Sequence, residues 1–170
     1  MIEVRRAAVE DGPAIGRVHV ASWRVTYASL GDEFLASLDV EERTALWIRV
    51  LTEGESVTFV AENGGAVVAF VNLRSSRDDG ARPSIGEVVA FYAAPHAWGT
   101  GAGWSLMGTA VDELGRMGFT QGILWVLDTN TRARLFYERA GWTADGAEKD
   151  AVWRGATIHE LRYTRPIPSP

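Results

Sequence analysis

The stretch Pro95–Met107, PHAWGTGAGWSLM, sets Gly99, Gly101 and Gly103 on alternate positions directly ahead of an apolar, periodic segment. Before it, IGEVVAFYAAP reads as a strand closed by Pro95. After it, Trp104, Met107, Val111, Leu114 and Met117 fall at the spacing of one helix face, and Gly118 follows where that helix ends. A strand, a glycine-rich loop and a helix start make a physically sensible anion cradle. The first helical turn leaves N–H groups unpaired at its positive end, and glycine lets the backbone approach a phosphate closely. The same residues also suit a plain flexible turn, so the rest of the chain has to decide.

Two named phosphate motifs are testable on these residues. A P-loop ends in Gly-Lys-Ser/Thr, whereas Trp104 follows the last glycine here. The dinucleotide fingerprint is GxGxxG, whereas this spacing is GxGxG. Asp128 does end the next strand, where a ribose-binding acid belongs, but a dinucleotide loop opens its domain at the first βα turn. This loop follows about half the chain and a hairpin, so a nucleotide-binding oxidoreductase is a minor alternative.

Working outward, IEVRRA alternates as a first strand, and VEDGPAIGRVHVASWRVTYASL reads as a helix with Pro13 near its start. LDVEERTALWIRVLTE is a clearer helix: Asp39 and Glu42 fit a capping box, and Ala45, Trp47, Ile48 and Leu51 trace its apolar stripe. In SVTFVAENGGAVVAFVNLRSS two β-rich runs flank Asn63-Gly64, a strong hairpin signal. SRDDGARPS is a polar loop. Beyond the glycine run, GILWVLD is a buried strand, TRARLFYERA a helix ended by Gly141, and WTADG and ATIHELRYTRP the closing strands. The order β α α β β β α β α β β, without repeat or composition break, predicts one mixed α/β domain over 1–170.

Composition narrows the function. The 170 residues are 46% hydrophobic with seven tryptophans, which suits a folded globule. A net charge of −5 argues against nucleic acid as a partner, because its phosphates must be neutralised. There is no cysteine, and His19, His96 and His159 do not pair at ligand spacing, so no metal is expected. MIEVRRAAVEDG lacks a signal-peptide core and no apolar run could span a bilayer, so we expect a cytoplasmic protein with no membrane partner.

At this point the residues resemble a known family. EVVAFYAAPHAWGTGAGWSLMGTAV followed by LWVLDTNTRARLFYERAGW is similar to the GCN5-related N-acetyltransferases (GNAT). These carry a Gln/Arg-x-x-Gly-x-Gly/Ala loop, then an Asn and a helix with a Tyr leading into Gly-Phe/Trp. VHVASWRVTYASL also looks like the first helix of many small members. The resemblance spans nearly the whole chain. It implies an α+β fold with a mixed central sheet of about six to seven strands and about four flanking helices. Gly101 and Gly103 match the loop pattern; Trp98 stands where Gln or Arg is usual, and Thr100 at a position often basic. A cradle here would therefore rely on backbone amides and the helix terminus.

The family transfers an acetyl group from acetyl-CoA to an amine by direct attack, which implies a primary amine of a small molecule or peptide as acceptor, and family members are often homodimers. An alkylammonium of pKa about 10.4 presents only about one neutral molecule in 10³ at pH 7, a deficit of roughly 4–5 kcal/mol that a general base can lower. Glu87 is the candidate base, against an exposed strand glutamate. Tyr137 is the candidate acid for the departing thiolate, against a core aromatic. The resemblance assigns the cofactor to Tyr92, Ala93, Ala94, Trp98, Gly99, Thr100, Gly101, Ala102, Gly103, Asn130 and Phe136, with a backbone N–H of Tyr92–Ala94 facing the thioester oxygen. Asn130 is equally a helix N-cap. Trp23, Arg24 and Tyr27 are placed at the acceptor, although Trp23 also suits a core. A binding module of this fold that senses acyl-CoA without turnover is the other reading.

Overall fold

Two features of the first helical segment set its geometry. Pro13 lies in the opening turn, and the chain enters through a 3₁₀ turn at Val9–Asp11, after which α1 runs over Gly12–Thr26. A second 3₁₀ turn, Ala28–Leu30, precedes a short helix α2, Asp32–Ala36, that the sequence reading does not separate. Helix α3 spans Val40–Glu53; Asp39 caps it, with one carboxylate oxygen accepting from the N–H groups of Glu41 (2.7 Å) and Glu42 (3.0 Å). The remaining elements are β1 (Ile2–Arg6), β2 (Val57–Asn63), β3 (Ala66–Ser75), β4 (Ile85–Ala93), α4 (Ala102–Arg116), β5 (Gln121–Leu127), α5 (Thr131–Arg139), β6 (Thr143–Trp153) and β7 (Ala156–Pro166). The computed structural model describes residues 1–168. Among them the seven strands form one mixed sheet, ordered β1-β2-β3-β4-β5-β7-β6. The five helices exceed the expected four by α2.

The chain divides into two compact units. The first comprises Met1–Leu73 and Ala90–Ala110. In it β1 pairs antiparallel with β2 from Ile2↔Asn63 to Arg6↔Phe59, and β2 with β3 through a hairpin. The hairpin turn sits one residue later than the Asn-Gly signal suggests: Asn63 pairs with Ala66, and the left-handed positions are Gly64 (φ 59°) and Gly65 (φ 79°). With two glycines in succession, both left-handed corners go to residues that adopt them without Cβ strain. Helices α1 and α3 pack closely because Gly16 has no side chain; a Cβ there would lie 2.6 Å from Thr44 Oγ1 and 2.8 Å from its backbone nitrogen. Ile15, Val18, Trp47, Val60, Phe70, Ala90 and Ala94 form the core of this unit.

The second unit comprises Arg74–Val89 and the chain from Val111 onward. Strand β4 runs parallel to β5 from Ile85↔Gln121 to Val88↔Leu124, and β5 pairs antiparallel with β7 from Gln121↔Pro166 to Leu127↔Glu160. Gly86 and Gly122 face each other in this register. A Cβ on Gly86 would lie 2.6 Å from both Leu114 and Phe119, and one on Gly122 would lie 2.9 Å from Trp142. The glycine pair therefore makes room for large rings on the sheet, and Trp142 and Leu114 are fully buried. Strand β6, expected as the short WTADG, extends over eleven residues with a bulge between Ala144 and Glu148.

Candidate active site

The glycine loop belongs to the first unit. Beyond β4, Ala94 donates its N–H to the Val68 carbonyl (2.8 Å), and a 3₁₀ turn follows at Pro95–Ala97. The indole N–H of Trp98, at the position where the family has Gln or Arg, donates to the Ala93 carbonyl (3.0 Å) and so ties the loop to the end of β4. The hydroxyl of Thr100 donates to the Ala97 carbonyl (2.7 Å), and its amide points to the same oxygen (3.3 Å). Thr100 thus shapes the loop from within.

Gly99 (φ 78°) and Gly101 (φ 93°) take left-handed backbone, and a Cβ on either would meet nothing within 4 Å. The Gly101 carbonyl accepts the first helical bond, from Ser105 N–H (3.1 Å), so α4 starts directly behind it. Helix geometry leaves the amides of Ala102 and Gly103 without a carbonyl partner inside the helix. An open loop with amides at a positive helix end suits an anionic group such as a pyrophosphate. Gly103 differs from the other two: it lies in the first turn of α4 and does not have positive φ.

His19 and Trp23 of α1 and Tyr27, the residue that follows the helix, recur every four residues. Trp23 meets His19 edge-on at 4.4 Å between ring centroids and Tyr27 at 5.4 Å, Arg43 of α3 lies 5.5 Å over the Trp23 ring, and Tyr92 of β4 stacks on His19 at 4.6 Å. The structure therefore brings Trp23, Tyr27 and Tyr92 together. Arg24 is exposed, as expected a third of a turn from Trp23.

Sequence reasoning weighs His19 only as a metal ligand and passes over it. It is 5% exposed, and its Nδ1 accepts from the indole N–H of Trp47 at 3.0 Å. That bond fixes the neutral tautomer with the proton on Nε2, and Nε2 has no hydrogen-bond partner among the described residues. A buried donor left unsatisfied costs about 1–3 kcal/mol.

Burial, with the charge of Arg43 second, lowers the His19 pKa to about 3. An unfolded chain protonates this ring near pH 6.5, whereas the folded chain does so only near the lowered value. Its contribution to stability is therefore complete above the unfolded pKa and is lost as pH falls from there toward the folded one. We expect the unfolding free energy of the wild type to drop more steeply than that of His19→Gln between roughly pH 6 and pH 4, the difference approaching about 1.4 kcal/mol per pH unit. Denaturant titrations at each pH measure it, and parallel slopes would mean that the ring titrates as if in water.

In the second unit Glu87 is not the exposed strand residue of the alternative reading: it is 3% exposed. Its Oε2 accepts from the backbone N–H of Arg77 (3.0 Å) and from Arg77 Nε (3.4 Å), and Oε1 accepts from Nη2 (3.1 Å). The polar loop after β3 thus supplies the Glu87 counter-ion. In the same unit a cleft of about 210 Å³, which Glu87 does not line, is bounded by Ser76, Asp78, Arg82, Ile123, Asp145 and Arg162. Arg162 bridges Asp78 and Asp145 at 2.8 Å each, and the indole N–H of Trp125 donates to Asp78 (3.0 Å). Glu160 on β7 is half-buried; burial raises its pKa, opposed by Lys149, whose Nζ lies 3.7 Å away.

Asn130 caps α5: its Oδ1 accepts from Ala133 N–H (3.2 Å). Its own N–H donates to Leu127 O (3.0 Å) and its carbonyl accepts from Arg134 N–H (3.0 Å), which leaves the side-chain NH₂ to donate to a ligand. Tyr137 is buried on α5, 5.6 Å from the half-buried ring of Phe136 and 6.3 Å from Tyr163.

A model described as the acetyltransferase (GNAT) family matches residues 22–142, more than half of the chain. An uncharacterized N-acetyltransferase of Bacillus subtilis strain 168, YuaI, is 31% identical over 140 residues, covering 81% of this chain and 78% of the relative. The crystal structure of PaiA N-acetyltransferase from Thermoplasma acidophilum in complex with coenzyme A has a TM-score of 0.74 at 19% identity, covering 98% of this chain and 99% of its own. YncA of Salmonella typhimurium, solved with its cofactor acetyl-CoA, has a TM-score of 0.75 at 19% identity, covering 100% and 96%. At that identity the two structures speak for the fold, while the family match and the Bacillus relative speak for descent. The chain belongs to the GNAT acetyltransferase family and is an acyltransferase.

Proposed function

We propose that residues 1–170 form one N-acetyltransferase domain that uses acetyl-CoA to acetylate a primary amine of a small molecule or peptide. The observation that carries the reading is the open loop at Gly99 and Gly101, backed by the start of α4. When bound, acetyl-CoA supplies an acetyl group activated as a thioester. The amides of Gly99–Gly103 would hold its pyrophosphate and the side-chain NH₂ of Asn130 its pantetheine, with Phe136 as apolar wall. Within Tyr92–Ala94 the Ala94 N–H is already bonded to Val68 and strand alternation turns the Ala93 N–H the other way, so within this reading we assign the thioester oxygen to Ala93. Glu87 takes the proton of the attacking amine and Tyr137 returns one to the departing sulfur. Trp23, Tyr27 and Arg24 flank the acceptor. Calorimetry with acetyl-CoA, then release of free thiol with an amine panel, tests the reading; binding without release in every case leaves a sensor.

Glu87→Gln is expected to lower kcat/KM by about 10²-fold near neutral pH and to regain part of the loss at high pH, where more amine is already neutral. The wild-type profile should rise with pH through a group that the variant lacks. Because Gln keeps the volume but removes the charge opposite Arg77, a thermal melt must accompany the kinetics. An unchanged rate and profile would reduce Glu87 to the partner of Arg77, and the half-buried Glu160 would be tested next.

A further inference from the structure

One deeply buried polar group beside the acceptor residues, His19, is not used by the reaction above. We propose that His19 sets acceptor specificity, its Nε2–H donating a hydrogen bond to an oxygen carried beside the amine of the acceptor; this rests on the acetyl-transfer reading. Asp11 is bonded to Arg5, and Asn72 to Thr58 and Ser56, whereas the buried His19 Nε2 has no hydrogen-bond partner among the described residues. Its ring cannot turn to satisfy the donor, because Trp47 holds Nδ1 and Tyr92 stacks on its face. His19 and Trp23 lie on α1 with Tyr27 directly after it, and Tyr92 belongs to the β4 end read as meeting the thioester. The missing partner is a hydrogen-bond acceptor, which an ammonium group cannot be and a carbonyl oxygen is. Arg43, close enough to lower the affinity of the ring for a proton, adds positive potential that favours such an oxygen. The matching substrate class is a primary amine with an adjacent carbonyl, as in an amino acid derivative or a peptide N-terminus.

The test compares L-phenylalaninamide with phenethylamine, which share the ring and amine and differ in the carboxamide. The two amines differ in basicity in every variant alike, so the informative quantity is the change in their kcat/KM ratio. From wild type to His19→Met the ratio is expected to fall about tenfold or more, with acetyl-CoA affinity unchanged. His19→Gln, which retains a carbonyl for Trp47 and an N–H beyond it, should keep most of the preference. An equal ratio in His19→Met overturns the proposal and leaves Nε2 to an internal water. In wild-type protein with ¹⁵N-labelled histidine, the Nε2–H resonance should shift when L-phenylalaninamide is added in the presence of CoA. A resonance that does not move also overturns it, including where His19→Met fails to fold. Acetyl-CoA binding with no transfer to any amine would instead fail the acetyl-transfer reading, and the same resonance still decides the role of His19.

Discussion

Tyr137→Phe is expected to lower kcat by ~10²–10⁴ while acetyl-CoA affinity stays within a few-fold of wild type. The exchange keeps the ring, which is buried on α5 near Phe136 and Tyr163, and removes only the hydroxyl. A phenol near pKa 10 keeps its proton at neutral pH, while a thiolate of conjugate pKa near 8.5 leaves more readily when a donor meets it. The loss should therefore appear in the chemical step, in kcat and kcat/KM together and not in binding. Single-turnover thiol release with a reactive acceptor, beside calorimetry, makes the separation. A rate within a few-fold of wild type would assign protonation of the sulfur to water and return Tyr137 to its packing role.

Elements with long, regular patterns were legible in the sequence. The apolar stripe read from Trp104 becomes α4, although Trp104 itself is exposed and Met117 lies just beyond the helix, and Asp39 caps α3 as its spacing predicts. Where the structure departs, the cause is local. Helix α2 has five residues, too few for a helical period to declare itself, and it follows α1 after one 3₁₀ turn and Gly31. The hairpin turn moves from Asn63-Gly64 to Gly64-Gly65 because the next residue is also a glycine. Strand β6 outruns WTADG because its later residues, Glu148 to Trp153, are mostly exposed and carry no apolar alternation.

The candidate site was legible where backbone conformation decides and obscure where pairing does. Gly99 and Gly101 announce themselves by composition. Arg77 lies ten positions from Glu87 across a polar loop, and nothing in SRDDGARPS selects it over Arg82 as the counter-ion. Asn130 was readable as a cap, but only its hydrogen bonds reveal that the amide NH₂ is what remains for a ligand. His19 sits four residues before Trp23, but that spacing alone does not mark a site. Its importance depends on Trp47, 28 residues away, which takes Nδ1 and fixes the proton on Nε2.

Gly101→Val should raise the Kd for acetyl-CoA by about 100-fold or more while the protein stays folded, since a lost set of charge-assisted amide contacts to phosphate is worth several kcal/mol. Two effects act in the same direction. At φ 93° a β-branched residue is a steric outlier, so the loop must relax and its amides reorient. If the backbone does hold, the new side chain projects into space where no protein atom lies within 4 Å, which is the space a phosphate would fill. That openness is also why the fold should survive, for the substitution meets no core residue. Gly103→Ala is the control, because Gly103 lies in the first turn of α4 without positive φ and a methyl there imposes no left-handed strain. Calorimetry on both variants, with melting curves to confirm folding, reads the result. Near-normal affinity in folded Gly101→Val would remove the loop from cofactor binding and leave PHAWGTGAGW as the flexible turn it resembles at first reading.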